Sequence, residues 1–147
     1  MTIVRDILKT KGNQVWSISQ ETTVLEALEF MAEKNVGAVV VLEQGKMVGI
    51  ISERDFARSI ARLGHCLIEA PVKDFMTKDV ITVTPDLSTE DCMSLMSEKK
   101  FRHLPVMAEG KLVGLISIGD IVKAVISSKE SHIHSLENYI EGTDYNR

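Results

Sequence analysis

The sequence predicts an α/β (α+β) protein: two tandem β-α-β-β-α repeats packed as a pseudo-two-fold pair, followed by a C-terminal amphipathic helix. Three observations lead there. The segment from Gly45 to Asp55 returns sixty-five positions later, from Gly110 to Asp120, with seven of eleven residues identical. Self-similarity of that kind decides the architecture before any other signal. Each copy also carries two short apolar runs joined by a polar, glycine-containing turn, the pattern of a hairpin. Apolar residues at helical spacing flank each hairpin.

Taken in order, each unit opens with an extended piece, Trp16-Ser17-Ile18 or Ile81-Thr82-Val83. A helix follows, with Val24, Leu25, Leu28, Met31 and Ala32 on one face, and with Cys92, Met93, Leu95 and Met96 as the counterpart. The β-branched run Ala38 to Leu42, the turn Glu43 to Lys46 and the run Met47 to Ile51 form the hairpin. A second helix begins near Ser52 or Ser117 and is expected to reach about Gly64 or Val125. The same sixty-five-residue offset aligns Met31 with Met96, Glu33-Lys34 with Glu98-Lys99, and Val41 with Val106. The expected divisions are residues 1–66 for the first repeat, 67–127 for the second and 128–147 for the tail. Leu67 to Lys73, with Pro71, reads as a short connector. In the tail Ile133, Leu136 and Ile140 fall at helical spacing, and Gly142 to Arg147 are expected to fray.

A chain of 147 residues makes one ordinary domain, and each repeat alone is near the smallest self-sufficient core, so the halves are expected to fold against each other. The 44% hydrophobic content is that of a globular protein. No apolar run approaches the ~20 residues that span a bilayer, and the start lacks the apolar core of a signal peptide. A cytoplasmic protein with no membrane partner is expected. A net charge of −4 argues against nucleic-acid binding, which needs a basic surface. Cys66 and Cys92 form no disulfide framework.

Function is sought where each hairpin runs out, at Gly49 to Asp55 and Gly114 to Asp120. A strand that leads directly into a helix presents unpaired N–H groups and a positive dipole end. A carboxylate there can accept both hydroxyls of a ribose, which makes Asp55 and Asp120 the ribose candidates. The same Ser-x-x-Asp spacing is also a capping box, so Ser52 and Ser117 have two readings that the sequence leaves open. Glycine inside each preceding strand marks close approach of another group. Arg54 and Arg58 recur on one helical face, and Arg102-His103 precede the strand Leu104 to Val106; an arginine fork could hold a phosphate. Where the second half has Arg102-His103 the first has Gly37-Ala38, so one stronger nucleotide site is expected. His132, His134 and His65-Cys66 lack zinc-like spacing, and no metal is expected. No nucleophile elbow, phosphate loop or zinc-protease motif occurs, so a non-enzymatic chain is expected.

The repeat ending in Gly-x-Ile-Ser-x-x-Asp resembles the cystathionine-β-synthase-type (CBS) domain, and two in tandem resemble a stand-alone Bateman module over roughly residues 4 to 127. That resemblance implies a disk-like pair that holds an adenine ligand between its repeats, AMP first and then NAD(H) or ATP, with S-adenosylmethionine also among the family's ligands. It implies ribose binding by Asp55 and Asp120, and phosphate or hydroxyl contacts from Ser52 and Ser117. By the same resemblance Val15, Trp16, Ile18, Val80, Thr82 and Val83 would wall the adenine, while Arg102, His103 and Pro105 would border base and phosphate. It implies a homodimer, a regulatory role and a protein target that this chain does not encode. The alternative is a constitutive interaction module with unoccupied clefts.

Overall fold

The computed structural model describes residues 2–141; the fraying expected of Gly142 to Arg147 lies outside them. The elements run α1 (Val4–Lys11), β1 (Ser17–Ser19), α2 (Val24–Lys34), β2 (Ala38–Glu43), β3 (Lys46–Ser52), α3 (Glu53–Leu63), a 3-10 turn (Val72–Asp74), α4 (Thr89–Lys99), β4 (His103–Ala108), β5 (Lys111–Ser117) and α5 (Ile118–Glu141). β1 pairs parallel with β2, and β2 antiparallel with β3. β4 pairs antiparallel with β5. The mixed α/β architecture with two hairpins and their flanking helices is the one the repeat predicts.

Local chemistry explains the elements. Thr23 caps α2 by accepting from the Glu26 amide at 3.1 Å, and Asn35 ends it at a φ of 54°. Both hairpins turn on two residues of positive φ, Gln44-Gly45 and Glu109-Gly110, which matches the right-handed twist of the strands they join. Each ladder shifts register at the same place, between Val41 and Leu42 and between Val106 and Met107. The halves are also tied alike at the strand-to-helix junction: the Glu53 amide donates to the Gly37 carbonyl at 3.0 Å, and the Ile118 amide to the Arg102 carbonyl at 2.8 Å.

The first core gathers Val24, Ala27, Met31, Val39, Val41, Ile51 and Phe56, and it also takes Val72 from the connector. The second gathers Cys92, Met96, Leu104, Val106, Ile116 and Ile121, together with Val4, Ile7 and Leu8 of α1. The chain thus crosses over twice: α1 packs on the second unit, and Val72, Phe75 and Met76 pack on the first. The glycines in β3 and β5 permit both crossings. A Cβ on Gly49 would lie 2.8 Å from the Thr77 carbonyl oxygen and 2.7 Å from the Met76 sulfur, and one on Gly114 would lie 2.6 Å from a Leu8 methyl. The close approach expected at these glycines is made by the protein's own segments.

Three features differ from the sequence expectation. The extended piece Ile81-Thr82-Val83 shrinks to a single parallel bridge, Val83 to Val106. The second helix of the second unit does not stop near Val125 but continues as α5 to Glu141; no glycine or proline interrupts that stretch. α1 itself was not anticipated; its start is held by the Ile3 amide donating to Asp6 Oδ2 at 3.0 Å.

Candidate functional site

Both Ser-x-x-Asp segments fold alike because a strand ends where a helix begins. Ser52 Oγ accepts from the Asp55 amide at 3.3 Å, and Asp55 Oδ2 accepts from the Ser52 amide at 2.8 Å and from Ser52 Oγ at 3.1 Å. Ser117 Oγ accepts from the Asp120 amide at 3.1 Å, and Asp120 Oδ2 from the Ser117 amide at 2.8 Å. Both acids close capping boxes. Capping engages only Oδ2, and neither Oδ1 accepts a hydrogen bond among the described residues. Each carboxylate can therefore cap its helix and still accept from a ligand hydroxyl.

Asp55 opens on a cavity of about 460 Å³, within the usual range for small-molecule sites. One wall is Ser52, Glu53, Arg54, Asp55 and Arg58, at the start of α3; the other is Lys99, Lys100, Phe101, Arg102 and His103, between α4 and β4. Lys100, at a φ of 61°, ends α4 and turns the chain toward the cavity. Thr77 reaches it through reciprocal backbone bonds with Ile50, 2.9 and 3.0 Å. Gly37 lines it too; a Cβ there would stand 3.1 Å from Glu53 Oε1 and 4.0 Å from the His103 ring.

This cavity is strongly positive for an acidic protein. Arg54, Arg58, Arg102, Lys99 and Lys100 form no ion pair among the described residues. Repulsion from Arg102, and then from Arg58, pulls the Arg54 pKa below its ordinary value. Burial, reinforced by Lys11 and Arg102 and opposed by Asp120, pulls the His103 imidazole below its usual range. That shift favors the neutral ring, which offers one donor and one acceptor.

Asp120 lines a separate cavity of about 600 Å³ between α1 and α5, with Ile7, Thr10, Lys11, Lys123 and Ala124. Here the carboxylate is already engaged: Lys11 Nζ donates to Asp120 Oδ2 at 2.6 Å and to the Leu115 carbonyl at 2.6 Å. Burial pushes the Asp120 pKa up, but the Lys11 ammonium and the Ser117 bonds together outweigh it and hold the pKa below the ordinary value.

Of the residues singled out in the sequence, Ser52, Arg54, Asp55, Arg58, Arg102 and His103 meet at the first cavity, and Asp120 stands at the second. Ser117 caps α5 behind Asp120. Val15, Ile18, Val80 and Thr82 are not among the residues that line either cavity. Trp16 packs edge-on against Phe30 beneath Lys34, whose Nζ is 4.4 Å from its ring center. Val83 belongs to the second core, and Pro105 is buried in β4. Sequence reasoning missed Thr77, Glu53 and Phe101. Thr77 has no repeat signal, since its counterpart at the sixty-five-residue offset is Gly12.

No group of three or more metal-binding side chains occurs among the described residues. The Cys92 thiol is pushed up to about 11 by burial and by Asp91, which leaves it protonated and unreactive at neutral pH.

The family model of the CBS domain matches residues 4–62 and again 72–127. A relative, "CBS domain-containing protein CBSX3, mitochondrial" of Arabidopsis thaliana, is 36% identical over 96% of this chain and 73% of its own. The crystal structure of a CBS-domain containing protein from Agrobacterium tumefaciens superposes with a TM-score of 0.81 at 37% identity, covering 84% of this chain and 98% of that one. The CBS domain pair of protein MJ0100, crystallized in complex with 5'-methylthioadenosine and S-adenosyl-L-methionine, matches with a TM-score of 0.74 at 25% identity, covering 84% and 99%.

Proposed function

We propose, since the chain belongs to the CBS-domain family, that it is a non-enzymatic regulatory module that binds an adenine nucleotide at the Asp55 cleft. AMP is the first choice, then NAD(H) or ATP. The observation that carries this reading is the meeting, in one cavity, of a helix-start carboxylate that keeps one oxygen free and of cations that form no ion pair, both among the described residues. The acid suits ribose hydroxyls, and Arg54, Arg58 and Arg102 suit phosphate. The adenosine ligands crystallized with the MJ0100 pair support the ligand class, while the cations favor a phosphorylated member of it. Signaling then requires that the ligand bind two arrangements of the module unequally, and the effect is reciprocal with any protein target.

A thermal-shift panel of AMP, ATP, NAD, NADH and S-adenosylmethionine tests this. A ligand at 100-fold its dissociation constant adds about 2.7 kcal/mol, so AMP, and then NAD(H) or ATP, should raise the melting temperature. No shift with any of them rejects the reading.

A specific observation also favors association with a second copy. Ile118, Val122, Ile126, Ile133 and Leu136 of α5 are all exposed and share one helical face. We read the chain as a homodimer through this face, acting in the cytoplasm on a protein target; no described helix is long and apolar enough to cross a membrane. An Ile126→Asp, Ile133→Asp chain should sediment as a monomer, and an unchanged sedimentation coefficient would place the contact elsewhere. Should dimerization persist while the nucleotide panel stays silent, the constitutive interaction module is the better description.

A further inference from the structure

We propose that Lys11 sets the ligand specificity of the Asp120 cleft, admitting adenosines that carry a phosphate and rejecting neutral or cationic ones. This rests on the nucleotide reading above and extends it to the second cleft.

The two halves solve one backbone problem differently. In the first, the Ile50 carbonyl accepts from the Thr77 amide at 2.9 Å. Its counterpart sixty-five residues on, the Leu115 carbonyl, accepts from Lys11 Nζ at 2.6 Å. A side-chain ammonium has replaced a strand-like backbone bond. The same ammonium donates to Asp120 Oδ2 at 2.6 Å, whereas no lysine or arginine pairs with Asp55 among the described residues. The cation is delivered by a fixed element: Val4, Ile7 and Leu8 of α1 are buried in the second core, and Leu8 lies against Gly114. Lys123, the counterpart of Arg58, lines the same cleft. The Asp120 carboxylate is held below its ordinary value, so it stays ionized throughout the neutral range.

A ribose arriving at Asp120 must share the carboxylate with Lys11 or take it away. A neutral nucleoside gives the ammonium nothing in exchange, and a sulfonium adds a second cation beside it. A phosphate supplies another anion, and a charge-assisted bond to it is among the stronger polar contacts. Discrimination between nucleotide and nucleoside thus falls to Lys11, with Asp120 common to both.

The experiment is calorimetric titration with AMP and with adenosine, in an Asp55→Ala background that weakens the first cleft and so separates its transition from that of the second. Lys11 is compared with Lys11→Met, which keeps the alkyl chain, and with Lys11→Arg, which keeps the charge. With Lys11 or arginine, AMP should bind tenfold or more tighter than adenosine; with methionine, that ratio should fall by about tenfold or more, the scale of one hydrogen bond to a charged group. The second transition in chains with Asp55 intact gives the same ratio if the double variant melts early. An unchanged ratio in Lys11→Met overturns the proposal, as does loss of all AMP binding in Asp55→Ala alone, and both leave the first-cleft reading standing. Absence of AMP binding to the unaltered chain would overturn this proposal, and absence of NAD(H) and ATP binding as well would sink that reading with it.

Discussion

The Asp55 and Asp120 clefts begin from the same seven shared residues and end with different chemistry. Both acids cap a helix through Oδ2. Around Asp55 the neighbors are Glu53, Arg54 and Arg58; at the equivalent positions around Asp120 stand Ile118, Gly119 and Lys123. Among the described residues the first cleft keeps its cations unpaired and its acid unchallenged, and the second spends its nearest cation on the acid itself. Local sequence fixes how a carboxylate is oriented, whereas what it can bind depends on which distant segment crosses over it.

The largest expected difference between the halves is in affinity. Asp55→Ala should weaken AMP binding at the first cleft about ten- to hundredfold, the scale of a hydrogen bond to a charged group, while Asp120→Ala leaves that site nearly untouched. Calorimetry reads both. Since Asp55 also caps α3, the unliganded variant should lose about 1 kcal/mol in urea unfolding; that loss with unaltered affinity would mean the acid is a cap and nothing more.

Next come the glycines. Gly49→Ala drives a methyl against the Thr77 carbonyl, part of the backbone, and should cost about 1–3 kcal/mol. Gly114→Ala meets only the end of the Leu8 side chain, which can rotate away, and should cost less. Equal losses in urea melts would show that the two crossings are equally rigid.

Smaller effects belong to the charges. Arg102→Gln should weaken AMP about two- to fivefold, as for an exposed ion pair, and reduce the salt dependence of binding. The smallest is a pH effect. Asp120 has a folded pKa below its unfolded value, so its stabilization is complete above the ordinary carboxylate range and disappears as pH falls through the depressed value. Asp120→Asn should therefore flatten the acid limb of the stability curve below about pH 4, with little change in the shape of the curve between pH 6 and 8. An acid limb as steep as the parent's would mean that Lys11 does not hold the carboxylate in solution.

Much of the architecture was legible because it is local and repeated. The hairpins announce themselves by two runs and a Gln44-Gly45 or Glu109-Gly110 turn, and the Ser-x-x-Asp caps by spacing alone. The crossovers were not legible. Lys11 meets Asp120 across 109 residues, and Thr77 meets Ile50 through backbone atoms that carry no residue signature. Trp16, expected by resemblance at the adenine wall, has its ring engaged by Phe30 and Lys34, and an aromatic residue beside a short strand looks alike in sequence whether it faces a core or a cleft. The continuous α5 was missed because a stop was expected where the repeat ends, although no residue there breaks a helix.

The central claim is that the Asp55 cleft holds an adenine nucleotide by ribose and phosphate together. A crystal structure of the chain grown with millimolar AMP tests it most directly. The account predicts the ribose hydroxyls on Asp55 and the phosphate among Arg54, Arg58 and Arg102. An empty cleft, or a nucleotide bound away from Asp55, would contradict it.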